Sequence, residues 1–203
     1  MKNKYKIFTI FLFFILFAIP SKGTSILDVK KNDFSIGDEN APVTIIEYSS
    51  LSCSHCADFH NKTLDDIKNE YVDNGKVRFV FRDFPFNYPA LLGSMVLKCT
   101  PNIDRYEIMN ALFKYQKKWV NRENNKTTKE LFKLMQSTGM TKKEFNNCIS
   151  NTSVENEILE GLIEAQEQFS IKSTPSFIIN GNLLEGNKSS KEFRQIIDKI
   201  LSQ

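Results

Sequence analysis

The spacing of apolar residues changes several times along the chain, and each change marks a boundary. Ile7 to Ile19 is an almost unbroken apolar run, preceded by Lys2, Lys4 and Lys6 and followed by Pro20-Ser21-Lys22-Gly23. As a helix at about 1.5 Å per residue it covers roughly 20 Å, short of a hydrocarbon core of about 30 Å. Ser21 and Gly23 are the small residues a signal peptidase requires before Thr24, so residues 1–23 are expected to be a signal peptide. The alternative is an uncleaved anchor, since Lys22 crowds the cleavage site. Either carries the remainder across a membrane into an oxidising compartment, with the periplasm as the expected location.

Beyond it, Val43–Ser49 is rich in β-branched residues and reads as a buried strand. Phe59, Leu64, Ile67 and Tyr71 then fall near helical spacing, until Asn74-Gly75 ends the helix. Val77–Phe84 reads as a second strand, with Val77, Phe79 and Phe81 alternating against Arg78 and Arg82, a pair expected on a solvated strand face. A strand, helix and strand so spaced form a βαβ unit with a parallel pair and a right-handed crossover. From about residue 88 to 168 the pattern turns helical. Thr127-x-x-Glu130 and Thr141-x-x-Glu144 fit capping boxes, and Ser153 is placed to cap a helix reaching Phe169. Ser176–Ile179 and Asn182–Glu185 read as a hairpin about Asn180-Gly181. A final helix follows Ser189-x-x-Glu192, with Phe193, Ile196, Ile197, Ile200 and Leu201 on one face. The expected architecture is one α/β domain, residues 24–87 and 169–203, interrupted by a helical domain at 88–168.

Length and composition agree with an ordinary folded protein: 203 residues, 41% hydrophobic, with no collagen-like or disordered bias. The net charge of +3 resides in the first 23 residues; without them 23 basic and 24 acidic residues leave −1. That removes any electrostatic case for nucleic acid, and no nucleotide-binding loop is present. Four sequons, at Asn61, Asn125, Asn151 and Asn187, are what so Asn-rich a chain produces by chance, and Trp119 is expected in the core.

The informative chemistry is Cys53-Ser54-His55-Cys56, at the junction of the first long strand and the first helix. A cysteine there faces unsatisfied backbone N–H groups and the positive end of the helix dipole, which stabilise a thiolate. His55, when protonated, adds a positive charge. A thiol of lowered pKa is both an available nucleophile and a good leaving group, and Cys56, one turn further in, would resolve a mixed disulfide. The competing reading is half of a zinc site, Cys53 and Cys56 with His60 and a fourth ligand. No second Cys-x-x-Cys or paired histidine supports it, so no metal and no cofactor are expected.

With Glu47-Tyr48-Ser49-Ser50-Leu51-Ser52 leading into the cysteine motif, Thr174-Pro175-Ser176-Phe177 and Asn180-Gly181, the chain resembles the thioredoxin-like, DsbA-type family of secreted disulfide oxidoreductases. The dipeptide between the cysteines is Ser-His where Pro-His is commoner. The resemblance implies a thioredoxin-like α/β fold with an inserted helical domain. It also implies a cis Pro175 facing the cysteines, with the backbone of Thr174 exposed to pair with an extended substrate. Without the motif, an ordinary trans proline opening an edge strand is the plain reading. Glu47, set in an apolar strand, matches the family's buried acid, which accepts or relays a proton as Cys56 attacks. Its plain alternative is a glutamate on the solvent side of an edge strand, and its partner, a lysine in some relatives, is left unassigned.

Cys99 and Cys148 remain in the helical block and form the natural second bridge once Cys53 and Cys56 are paired; some bacterial relatives carry a non-catalytic pair there. Two buried free thiols and a labile regulatory bridge stay open. The function expected is a monomeric thiol:disulfide oxidoreductase that introduces disulfides into reduced, unfolded exported proteins and is reoxidised by a membrane oxidase, the last implied by the resemblance alone. An isomerase or reductase of the same superfamily is the alternative, although fewer than 20 residues separate Thr24 from the first long strand, too few for the dimerisation domain of the dimeric isomerases. A non-catalytic, zinc-binding or chaperone-like domain is the rival from another class.

Overall fold

The computed structural model describes residues 29–30 and 33–203, so the expected signal peptide lies outside the described residues. Among these residues five strands form one sheet in the order β1-β3-β2-β4-β5. They are β1 (Phe34–Ile36), β2 (Val43–Ser49), β3 (Val77–Asp83), β4 (Ser176–Ile179) and β5 (Asn182–Glu185). The pair β2 and β3 is parallel, as the βαβ pattern requires, and the other pairs are antiparallel. Between β2 and β3 run α1 (Ser54–Lys62), α2 (Leu64–Ile67) and a π-helical turn (Lys68–Val72), where the sequence suggested one uninterrupted helix. Thr63, with φ −116°, breaks the regular geometry between α1 and α2.

Between β3 and β4 lie six helices: α3 (Tyr88–Cys99), α4 (Asn102–Lys114), α5 (Gln116–Trp119), α6 (Asn124–Gln136), α7 (Lys142–Ile149) and α8 (Thr152–Phe169), referred to below as the helical block. The last helix is α9 (Ser190–Leu201). Both faces of the sheet are covered. Val43, Ile45, Phe79 and Phe177 pack against Phe59 of α1 and Phe193 and Ile197 of α9, in a core that runs on without a break through Val96, Phe113, Trp119 and Phe145 of the block. On the opposite face Ile46, Tyr48, Val80 and Ile178 meet Ala165 and Phe169 of α8. No described helix is long and apolar enough to cross a membrane.

Local signals were uneven guides. Thr141 and Ser189 open α7 and α9 with complete capping boxes. Asn180 (φ 43°) and Gly181 (φ 86°) turn the β4–β5 hairpin with both central residues left-handed, which an Asn-Gly pair tolerates. Two caps are corrected. Thr127 lies inside α6, which starts at Asn124, and its hydroxyl bonds the backbone of Asn121 instead. Asn151, not Ser153, caps α8, accepting from the N–H groups of Ser153 and Val154. Strand β1 escaped the sequence reading because three residues are too few to display a period.

The expectation of a solvated arginine face also fails at Arg82. Its guanidinium forks onto both carboxylate oxygens of Asp33 and donates to the Tyr48 hydroxyl at 2.8 Å, leaving the side chain 10% exposed. Asp33, the residue before β1, supplies the counter-charge. Arg78 is half-buried beside the Ser35 hydroxyl.

Gly93 in α3 shows how closely the block is fitted to the loop that follows β2. A Cβ there would stand 3.0 Å from the fully buried Trp119 ring and 3.1 Å from Leu51 Cδ1. Gly93→Val is therefore expected to overpack this seam and cost about 2–3 kcal/mol in urea denaturation. An unchanged midpoint would show that Trp119 can shift freely.

Candidate active site

Cys53 occupies the N-cap of α1 with extended backbone angles (φ −81°, ψ 124°), because β2 ends at Ser49 and a tight turn closes from the Cys53 N–H onto the Ser50 carbonyl at 2.9 Å. This arrangement points the half-buried Cys53 thiol across the mouth of the helix while Cys56, one turn on, is buried; both are free thiols. Cys53 Sγ lies 3.4 Å from the Thr174 carbonyl oxygen, and the Thr174–Pro175 bond is cis. The hairpin side thus meets the helix side at the sulfur.

The two thiols are driven in opposite directions. The Cys53 pKa falls from its ordinary value to about 5, first because the Cys56 thiol donates a hydrogen bond to it. Partial burial opposes this, and the backbone N–H groups of Cys56 and His55 add further lowering. Those N–H groups are the orphan donors of the helix start. Burial pushes the Cys56 thiol upward, and the negative charges of Cys53 and Glu47 add to it. One sulfur is therefore available as a thiolate at neutral pH and the other holds its proton.

His55 places its exposed side chain outside this cluster and brings its backbone N–H inside. Glu47 is fully buried on the central strand β2, in register with Phe81 of β3 and Phe177 of β4, so the edge-strand alternative does not apply. Its partner is His60, whose Nε2 stands 3.0 and 3.1 Å from the two carboxylate oxygens. His60 had entered only as a ligand in the zinc alternative; it turns instead toward Glu47. Among the described residues no group of three or more His, Cys, Asp or Glu side chains is placed to hold a metal.

Two supports had no sequence signal. Gln116 of α5 donates from Nε2 to the carbonyls of Leu51 and Cys53, at 3.0 and 2.9 Å, and so ties the thiol loop to the helical block. Asn87 accepts from the Ser52 hydroxyl at 2.9 Å while capping α3. Both are separated from the cysteines by tens of residues, and nothing in a local pattern announces them. Away from the site, Cys99 at the end of α3 and Cys148 in α7 are joined by a disulfide with Cα atoms 6.0 Å apart.

Known proteins similar to this chain share its fold, and several carry names that match disulfide chemistry. The family described as thioredoxin matches residues 29–199. A protein of Rickettsia bellii carrying the name protein-disulfide oxidoreductase is 27% identical over 176 residues, 86% of this chain and 67% of its own length. The chain spans about two thirds of the length of the Rickettsia relatives it matches. Among solved structures, alpha-DsbA1 of Wolbachia pipientis superposes with a TM-score of 0.82 at 30% identity, covering 88% of this chain and 96% of that one. BdbD of Bacillus subtilis, at 21% identity and a TM-score of 0.73, covers 85% and 95% and shares the fold.

Proposed function

The chain belongs to the thioredoxin family as a DsbA-type member, and from that premise we propose that it is a thiol:disulfide oxidoreductase working as a dithiol oxidase on exported proteins. The observation that carries the reading is Cys53 at the mouth of α1, where donors from Cys56 and the helix start converge on its sulfur. A thiolate so stabilised favours the reduced form of the pair, which makes the Cys53–Cys56 disulfide an oxidant.

In the reaction a substrate thiolate attacks Cys53 Sγ. The Cys53–Cys56 bond breaks, its electron pair leaves on Cys56, and a mixed disulfide forms. The substrate's second thiolate then attacks the substrate sulfur of that bond and expels the Cys53 thiolate. The substrate is oxidised by two electrons and the enzyme pair is reduced. A membrane oxidase in the same compartment, the periplasm, restores the disulfide. Extended substrate would lie along Thr174 and Pro175. Phe86, 53% exposed, and Tyr88 flank Asn87 beside the thiol loop and offer unfolded chains an apolar surface.

Equilibration of the purified chain with glutathione tests the direction. A potential at or above about −180 mV is expected, since roughly 30 mV is a tenfold change in the equilibrium for two electrons. A value near −270 mV, about that of thioredoxin, would make the protein a reductant and overturn the oxidase reading. Oxidation of reduced ribonuclease should outpace repair of scrambled ribonuclease; the reverse order would mark an isomerase.

A further inference from the structure

The stretch from 114 to 133 departs from the charge of the rest of the chain. It holds seven lysines and arginines against Glu123 and Glu130, in a body that carries −1 without residues 1–23. The fold brings the first three of these cations to the working thiols. Gln116, whose amide holds the carbonyls of Leu51 and Cys53, is buried, while its neighbours Lys114, Tyr115, Lys117 and Lys118 stand exposed and so border the thiol loop. Lys118 and Lys114 place their ammonium groups 4.8 and 5.8 Å from the centre of the Tyr115 ring, and the charge of Lys117 reaches Asp58 on α1. The neighbouring carboxylates are already taken. Asp58 pairs with Lys62, and Glu130, which lines the same notch as Tyr115 and Lys118, pairs with Lys133, each at 2.8 Å. Among the described residues none of Lys114, Lys117 and Lys118 forms an ion pair. Like charges gathered without a counter-charge repel, and that cost is relieved when an anionic partner docks.

We propose that Lys114, Lys117 and Lys118, set around Tyr115, form a docking surface for acidic residues that flank the reactive cysteine of a polypeptide substrate. This rests on the disulfide-exchange reading and deepens it by naming a substrate class. The patch adjoins the loop that carries Cys53, so a chain whose cysteine has reached the sulfur passes over it within a few residues, at about 3.3 Å of extended backbone each. Carboxylates on that chain meet exposed ammonium groups, and neither side has to be stripped of much water; the gain lies in the rate of encounter and in the choice of partner. Tyr115 offers the intervening backbone a flat apolar face. Thr174 and Pro175 hold the segment that reacts, and the lysines select which segments arrive. The body as a whole, near neutral, exerts no general pull on acidic chains, so the preference belongs to the patch.

Dithiol peptides of one length test it, with the cysteines flanked by aspartates, asparagines or lysines. Each reduces the oxidised chain near pH 7.5 under quenched flow. Each rate is divided by that peptide's rate with bis(2-hydroxyethyl) disulfide, an uncharged reagent, which removes the effect of the flanking charge on the thiol itself. At about 20 mM salt the aspartate peptide should react about tenfold faster than the asparagine one, and the lead should vanish at about 500 mM. In K114Q/K117Q/K118Q the ratio should fall to about one, whereas K143Q/K191Q/K199Q, which removes the same charge from α7 and α9, should keep it. Equal wild-type rates for the aspartate and asparagine peptides overturn the docking surface and leave the exchange reading standing. Loss of the ratio in the second triple variant overturns it as well, because the effect would then belong to net charge. The patch would instead face a membrane if phosphatidylglycerol vesicles bound the wild type but not K114Q/K117Q/K118Q while the peptides reacted alike. A wild-type chain that none of the peptides reduces overturns the exchange reading itself.

Discussion

Replacing Cys53 with serine is expected to abolish oxidation of reduced substrates. Cys56→Ser, first loaded at Cys53 as a mixed disulfide with glutathione, should exchange glutathione for a single-thiol substrate and hold that substrate on Cys53, since no internal thiol remains to release it. The first variant loses the only half-exposed free thiol among the described residues; the second keeps it and loses the resolving one. Alkylation of the reduced wild type should titrate with a midpoint near pH 5, far below an unperturbed thiol at about 8.5. A midpoint near 8.5 would refute the stabilised thiolate.

The same shift predicts how the reduced form responds to pH. Cys53 is an acid whose folded pKa, about 5, lies below its ordinary 9.0. Between those values the unfolded thiol binds a proton that the folded one does not, so stability rises with pH across the window and is lost as pH falls through about 5. Four units correspond to about 5 kcal/mol, which half-exposure and solvent screening reduce to about 2 kcal/mol. Cys56 moves the other way: it stays protonated in both states up to about pH 8, and above that its unfolded thiol ionises first and opposes the trend, a contribution that reduced C53S also carries. Subtracting the urea stability of reduced C53S from that of the reduced wild type isolates the effect. A flat difference from pH 5 to 9 would contradict it.

Removing the second bridge should cost stability and spare the chemistry. Cys99 and Cys148 close a loop of 49 residues, for which the chain-entropy estimate is about 4 kcal/mol at 25 °C. The double variant C99A/C148A should lose about that much in urea denaturation and keep its alkylation profile at Cys53, because the bridge ties α3 to α7 and touches neither thiol of the working pair. A loss below about 1 kcal/mol would mean that the unfolded chain is already confined there. An altered Cys53 profile would mean that the bridge is coupled to the site.

Most of the scaffold was legible because its signals are local. β-Branched runs marked β2, β3 and β4, Asn180-Gly181 marked the hairpin, and Thr141 and Ser189 announced their helices. The misses share a cause. β1 is held by pairing with β3 and has no periodicity of its own. Arg82 reads as solvent-facing by alternation, but Asp33, next to β1, covers it. Thr127 had the letters of a cap, but its hydroxyl found the backbone of Asn121 first. At the site, the cysteines and Glu47 stood out by residue type and position, whereas Gln116, Asn87 and the pairing of His60 depend on side chains brought from distant parts of the chain.

The sequence by itself determined the parity of each long strand, the helix that begins at the thiol motif, and hence that Cys53 would meet unsatisfied N–H groups with Cys56 one turn behind. These follow from backbone periods and from bonds between residues a few positions apart. Only the tertiary structure decided what Cys53 and Glu47 face. The Thr174 carbonyl at the sulfur and the His60 imidazole on the carboxylate are set by how β4, α1 and α4 pack together. The charge state of a buried group depends on its neighbours in space, and no local pattern carries that information.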